Sequence, residues 1–545
     1  MITLLAVTRI FPTTSMGLTT RLLVPVACVL FLVGGRVQSQ DAKFWNDQAK
    51  QTLQNALNRE RTLNKNVAKN VVFFLGDGMG MSTVTAARIM KGQNMGNPGE
   101  ETVLKWEEFP SVALSKTYSV DKQVGSSGSS ATACFCGVKA NDNMLGLDSR
   151  GRYGDCASSI GAAVDSFLIL AHRAGKSTGF ATTSRVTHAT PAALYAHAPS
   201  RDWENDGDIP TEEAAKGCTD IGAQLVENGH VFDVVLGGGR RELTGTNQTD
   251  PEYPDEVGHR TDGRNIIEEW LSKKAANRTK YVWNLDAFSS VDPAETDALL
   301  GLFERGHMHF EADRADDEAG EPSIAEMTAK AIKILQKDPD GYFLVVEAAR
   351  IDHAHHDGNA ARALTDTLAM EEAVIKAMEL TNEKDTLVIV TADHSHTMTI
   401  GAYPLRGTPI LGLYNDGEGS DGMPYTTLNY ADGPGGEIER DSYNAVGSRR
   451  NLTNVNTGGI DFKQSAIVPR EDESHAGEDV AIYANGPMAH LFHGVHEQNY
   501  MAHVVRYAAC LDYKEHCQMS SAPSRDGFNL WLILVTVFLS VRFWI

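Results

Sequence analysis

A chain of 545 residues can bury a large core, enough for one big α/β sheet with insertions or for two or three domains. With 42% hydrophobic and 22% charged residues, wholesale disorder is excluded. A net charge of −22 argues against nucleic acid as a partner, since neutralising phosphates needs a basic face, and any phosphate site here must carry its own positive charge.

At the N-terminus Arg21 precedes the apolar run Leu22–Val33 and then small and polar residues, the layout of a signal peptide over residues 1–40 with cleavage near 39–41. Residues 44–62 read as an amphipathic helix, with Phe44, Trp45, Ala49, Leu53 and Leu57 on one face, suited to reach a partner subunit. Asn70–Leu75 is a buried strand, followed by Asp77 among glycines, which let the backbone turn sharply and bring the carboxylate close to a ligand. Residues 124–132, rich in serine and glycine, run into a helix predicted over Ala131–Val138. Ser127 then falls at a helix N-terminus, where the dipole and free N–H groups favour a phosphate.

Further buried strands are expected at Ser177–Thr183, Val231–Leu236, Tyr342–Val346 and within 385–397, with helices over Ser158–Ala174 and Asn359–Leu380. Strands alternating with helices predict an α/β fold: a large, mostly parallel central sheet sandwiched by helices. Residues 401–470 turn to Gly, Asn, Asp, Tyr and Pro with short strands and read as an inserted cap. After Cys517 come Ser520, Ser521 and Ala522, a polar spacer and an apolar tail from Phe528. That is a glycolipid-anchor signal over 521–545, with attachment at Ser520 and the tail removed. Such a protein is extracellular, which suits disulfides: Cys510 and Cys517 can close a small loop and Cys156 with Cys218 a larger one. Cys134 and Cys136 suit a buried free pair. Asn247, Asn277 and Asn451 sit in glycosylation sequons.

Asp77, Glu347 and Asp393 each lie at a different strand end, so three carboxylates converge on one rim, which is costly unless cations neutralise them. Asp352 and His356 are four apart on one helical face, a good pair for one metal. Asp393, His394 and His396 mix a hard oxygen with imidazoles, as zinc prefers, and His475 adds a lone imidazole in a Gly-containing loop. A metal at this rim could lower the pKa of a serine enough to make it a nucleophile.

Together these segments resemble the alkaline phosphatases, particularly the animal glycolipid-anchored type, over about Phe44 to Cys517. The match runs through residues 124–132, 392–396 and 347–356, glycine-bounded Asp77, His188-Ala-Thr190-Pro, Arg201-Asp-Trp and His475-x-Gly-Glu-Asp. The resemblance implies one catalytic domain over 41–520, with the 401–470 insertion as its crown. It implies a homodimer held to the membrane by a GPI anchor and acting on a broad range of phosphate monoesters.

Carried over residue by residue, Ser127 is the phosphate-accepting nucleophile. One zinc is held by Asp352, His356 and His475, a second by Asp77, Asp393, His394 and Ser127, with His396 at or just behind the pair. Magnesium falls on Asp77, Thr190 and Glu347, with His188 behind it. Arg201 grips two phosphate oxygens with its planar fork, and His353 reaches phosphate through water. A calcium ion falls to Glu252, Glu304 and Glu321. The implied chemistry is two in-line displacements through a phosphoserine. No Cys-x-Pro-x-Arg motif of the formylglycine sulfatases is present, and none of the implied ligands is missing, as it would be in an inactive surface receptor of this fold. One departure stands out: the family carries Asp immediately before the nucleophile, and this chain carries Ser126.

Overall fold

The computed structural model describes residues 63–512 together with 50, 51 and 54. The signal segment, nearly all of the 44–62 helix, Cys517, Ser520 and the anchor tail lie outside the described residues.

The first strands in chain order are Asn70–Gly76 (β1), Ser111–Lys116 (β2), Ser177–Arg185 (β3), Val234–Gly238 (β4) and Thr279–Val282 (β5). Ala298–Leu302 (β6), Tyr342–Ala348 (β7), Thr386–Ala392 (β8), Ser395–His396 (β9) and Met398–Ile400 (β10) follow. The last are Leu428–Gly433 (β11), Ala466–Pro469 (β12), His475–Ala476 (β13), Val480–Asn485 (β14) and Gly494–Glu497 (β15). Ten of them form one sheet in the order β15-β2-β14-β8-β1-β7-β3-β4-β6-β5. All its pairings are parallel except those β14 makes with β2 and β8. The expected mostly parallel sheet is therefore present.

The apolar runs that mark the central strands are continuous because both faces of the sheet are covered. Along β1, Val71, Phe73 and Leu75 enter one core while Val72 and Phe74 enter the other. Phe343 and Val345 of β7 and Leu387 and Ile389 of β8 follow the first face; Leu344 and Val346, Val388 and Val390 follow the second. The helices used below are Met81–Asn94 (α1), Ser127–Cys136 (α2), Phe167–Arg173 (α3), Ile324–Leu335 (α4), Arg350–His356 (α5), Ala360–Leu380 (α6), Pro434–Val446 (α7) and Tyr500–Ala508 (α8). Helices α2, α3 and α8 cover the first face, and α1, α4 and α6 the second. Phe135 of α2 packs edge-on against Phe73 and Phe167, with centroids 5.6 and 5.7 Å away, so the far end of the Ser127 helix is seated in the core.

The long helix expected over 158–174 is two pieces: Cys156–Ser159, then α3 from the Ser166 cap. Gly161, at φ +76°, turns the chain between them, and the Ser166 side chain accepts the Ile169 N–H at 3.3 Å to start the second helix. The strand expected from Val231 begins at Val234, because Gly229–Val231 forms a 3₁₀ turn. Residues 401–470 hold β11, β12 and, beyond the expected short strands, the thirteen-residue α7. That helix opens on Pro434 and closes on left-handed Gly447. Cys156 and Cys218 are bonded, and Cys134 and Cys136 are free and buried. Cys510 is also disulfide-bonded. Asn247, Asn277 and Asn451 are exposed.

Candidate metal centre and active site

Strand order explains the crowding of acids. β1 lies between β7 and β8, with Leu75 opposite Glu347 and Gly76 opposite Ala392, so Asp77, Glu347 and Asp393 rise from three adjacent strands at one edge. Asp77 is fully buried, and both its carboxylate oxygens lack a hydrogen-bond partner. Burial, followed by the charges of Asp393, Asp352 and Glu347, pushes its carboxyl far above the ordinary range. Glu347, also buried, is raised to about 7 by burial against hydrogen bonds from Thr182 and Ser184. Its Oε1, Thr190 Oγ1 and His188 Nδ1 are likewise buried without hydrogen-bond partners. Asp77, His188 and Glu347 have donor atoms within 4.8 Å of one another. Orphaned oxygens around one point are what a hard divalent cation requires.

A second cluster gathers Asp352 and His356 from α5, His396 from β9 and His475 from β13. The last two meet because β9 and β13 pair antiparallel, with His475 directly opposite His396. His356 Nδ1 lies 2.5 Å from the Glu473 carbonyl and His475 Nδ1 3.0 Å from that of Gly125. A carbonyl only accepts, so both Nδ1 atoms carry protons, and in the neutral rings both Nε2 atoms present lone pairs. Those two Nε2 atoms face each other at 3.1 Å, each 3.4 Å from a carboxylate oxygen of Asp352. Two lone pairs and a carboxylate repel at such range, and a zinc-class cation reverses the sign.

Asp77 and Asp352 form a third group with His394. Burial holds the His394 imidazole well below its usual pKa, hence neutral and able to ligate. Its Nε2 sits 3.2 Å from Asp393 Oδ2, 3.5 Å from Asp77 Oδ1 and 3.4 Å from the Ser127 hydroxyl. Asp393 is fixed by the Gly78 N–H at 3.0 Å and the Ser130 hydroxyl at 3.0 Å. Ser127 is the first residue of α2, after Ser126 in extended conformation, and no side chain caps that helix. Its first N–H groups are left for an anion.

Arg201 Nη2 donates to His188 Nε2 at 3.0 Å, which ties the guanidinium to the Asp77–Glu347 group. Ser126 reaches Arg201 indirectly: its Oγ accepts the Asn143 N–H at 2.9 Å, and the Asn143 carbonyl accepts the Arg201 N–H at 2.9 Å. A cavity of about 690 Å³ opens onto Gly125, Ser126, Asp142, His356, Glu473 and His475.

His396 is committed at both ends, Nε2 to Asp352 Oδ1 at 2.7 Å and Nδ1 to Glu473 Oε2 at 2.5 Å, so it aims Asp352. Glu473 escaped the sequence reading. It is buried and also accepts the Thr397 N–H and hydroxyl, both at 2.6 Å; two residues from His475, it offered only proximity as a signal. His355, buried between the Thr83 hydroxyl and the Tyr430 hydroxyl, escaped too. So did His307, which with His353 and His188 makes a half-buried imidazole group; the His307 and His353 centroids are 4.2 Å apart. His353 itself contacts Arg350 Nη1 through Nδ1 at 3.0 Å. Of the residues expected to hold calcium, Glu304 and Glu321 converge on His309, whereas Glu252 accepts from Arg240 Nη2 at 2.5 Å.

Residues 68–511 match the family model described as alkaline phosphatase. The chain is 47% identical to the tissue-nonspecific isozyme of Felis catus over 512 residues, 93% of this chain and 96% of the relative. It is 46% identical to that of Homo sapiens over the same shares. Among solved structures, Thermus thermophilus alkaline phosphatase superposes with a TM-score of 0.59 at 23% identity, covering 85% of this chain and 97% of its own. The enzyme of the Antarctic bacterium TAB5 gives 0.55 at 22%, covering 82% and 99%. The acids gathered by strand order and the lone pairs that need a cation thus stand in a chain whose relatives match most of its length, and the chain belongs to the alkaline phosphatase family, hydrolases of phosphate monoesters.

Proposed function

We propose that Ser127 is the nucleophile of a phosphomonoesterase that works through a phosphoserine. The observation that carries this is the Ser127 hydroxyl lying 3.4 Å from His394 Nε2, at an uncapped helix N-terminus beside the buried acids. Asp352, His356 and His475 fit one zinc, Asp77, Asp393 and His394 a second beside Ser127, and Asp77, Thr190 and Glu347 a magnesium. When bound, such ions lower the pKa of oxygen nucleophiles and offset charge on the phosphoryl group in flight.

The chain's own groups do the rest. Ser127 Oγ attacks phosphorus in line, the Oγ–P bond forms, the ester P–O bond breaks and the alcohol leaves with a proton. Water then attacks the phosphoserine, Oγ departs, and inorganic phosphate is released. Arg201 holds two phosphoryl oxygens throughout and is itself aimed by His188, while the free N–H groups of α2 face a third. His353, one ring away from His188, is placed to reach phosphate through water. Because these contacts are all to the phosphoryl group, the leaving alcohol is weakly constrained and a broad monoester range follows.

The sequence signals support a secreted, GPI-anchored chain, and among the described residues no helix is long and apolar enough to cross a membrane. A homodimer fits the exposed apolar side chains Ile467 and Val468 of β12 and Tyr403. Ser127→Ala tests the central claim: turnover of a chromogenic monoester and acid-trapped phosphate on the protein should both vanish. Persistent turnover, or a diester or sulfate ester preferred by the wild type, refutes it.

A further inference from the structure

Of the acids that the family resemblance assigns to calcium, Glu304 and Glu321 gather around an imidazole. His309 stands between Glu304 and Glu321, its Nδ1 3.7 Å from Glu304 Oε1 and 3.7 Å from Glu321 Oε1. That spacing is too long for a hydrogen bond and right for two ligands of one ion with bonds of roughly 2.1 Å.

Hydrogen bonds hold both carboxylates in place. Glu321 is 1% exposed; its Oε1 accepts the His309 backbone N–H at 2.8 Å, and its Oε2 has no hydrogen-bond partner. Glu304 Oε1 accepts the Tyr253 hydroxyl at 2.6 Å and its Oε2 the Arg305 N–H at 2.7 Å, so that carboxylate is fixed. The His309 side chain is 35% exposed, which leaves a route for an ion from solvent. A cavity of about 10 Å³ lined by Thr183, His309, Glu311 and Glu321 adjoins it, room for one small occupant. Arg314, which also borders the cavity, is spent on Glu311 at 2.8 Å and on the Glu321 carbonyl at 3.3 Å. Glu252, the third expected ligand, is held by Arg240.

Calcium takes six to eight oxygens and gains little from an imidazole, whereas zinc accepts a nitrogen with two carboxylates readily. From this donor set we infer that Glu304, His309 and Glu321 form a zinc-class metal site where relatives of this kind are expected to carry calcium. It is separate from the active-site residues, so its failure would leave the phosphatase reading intact.

The test counts metals on the purified holoenzyme after dialysis against excess calcium and magnesium with trace zinc. Plasma mass spectrometry should find one more zinc per chain in wild type than in His309→Gln, with calcium rising in the variant and monoester turnover unchanged. Crystals of the wild type, measured on both sides of the zinc edge, should show an anomalous peak between Glu304 and Glu321; this arm stands even if the variant does not fold. Equal zinc counts in the two proteins, or calcium and no zinc peak at this position in wild type, overturn the inference.

Discussion

Gly78→Ala offers the sharpest probe of how the metal rim is built. Gly78 sits at φ +66°, between Asp77 and the turn into α1, with its N–H bonded to Asp393. A Cβ there would lie 2.4 Å from His396 Cδ2, 2.5 Å from His396 Nε2 and 3.1 Å from Asp352 Cα, where ordinary contact starts at 3.4 Å. Roughly 1 Å must be found, and a displacement of that size at a catalytic group costs about a hundredfold in rate. His396 cannot yield alone, because Asp352 and Glu473 hold its two nitrogens; the shift passes to Asp352, a proposed zinc ligand. The backbone cannot back away without losing the Gly78–Asp393 bond.

The control is Gly175→Ala, at φ +83° with nothing within 4 Å of its added Cβ. It shares the left-handed backbone cost of roughly 1–2 kcal/mol without the collision. Steady-state kinetics in excess zinc and magnesium, with metal content by mass spectrometry, should show kcat down about a hundredfold and zinc lost in Gly78→Ala, and neither in Gly175→Ala. Activity within a few-fold of wild type in Gly78→Ala would refute the claim that His396 transmits position to Asp352.

Ser126→Asp should tighten inhibition by inorganic phosphate: the carboxylate that the resemblance places there is expected to orient Arg201, whereas Ser126 reaches Arg201 through Asn143; tighter inhibition of the wild type would reverse that reading. In chelator, Glu347→Gln should gain stability relative to wild type as pH rises from 4.5 toward 7. A carboxyl whose folded pKa is raised favours folding only while protonated, and loses on the order of 3 kcal/mol across that window. Thermal melts whose difference stays flat across it would contradict the assignment, and added metal should reverse the order of the two proteins. Cys218→Ser opens a loop of 62 residues and should lower unfolding free energy by about 4 kcal/mol with kcat unchanged; an unmoved denaturation midpoint would argue against the bond's contribution.

Much of this was legible along the chain because local chemistry set it. Apolar runs such as Val71–Leu75 and Leu387–Val390 announce strands buried on both faces, since only a doubly covered sheet leaves no polar alternation. Asp352 and His356 share a helical face through their spacing alone, whereas α2, expected from Ala131, already begins at Ser127 within the run of small hydroxyl residues and ends at Cys136. How these groups come together depended on segments far apart. His475 reaches the rim only through the two-residue pairing of β13 with β9, and Glu473 arrives with it to orient His396, a contact spanning 77 positions. His309 carried no motif and became a candidate ligand only once Glu321 folded back, twelve residues on, to face it. Periodicity and spacing fix which groups an element presents; which elements then share an edge follows from packing and strand order, and a metal site is a property of that edge.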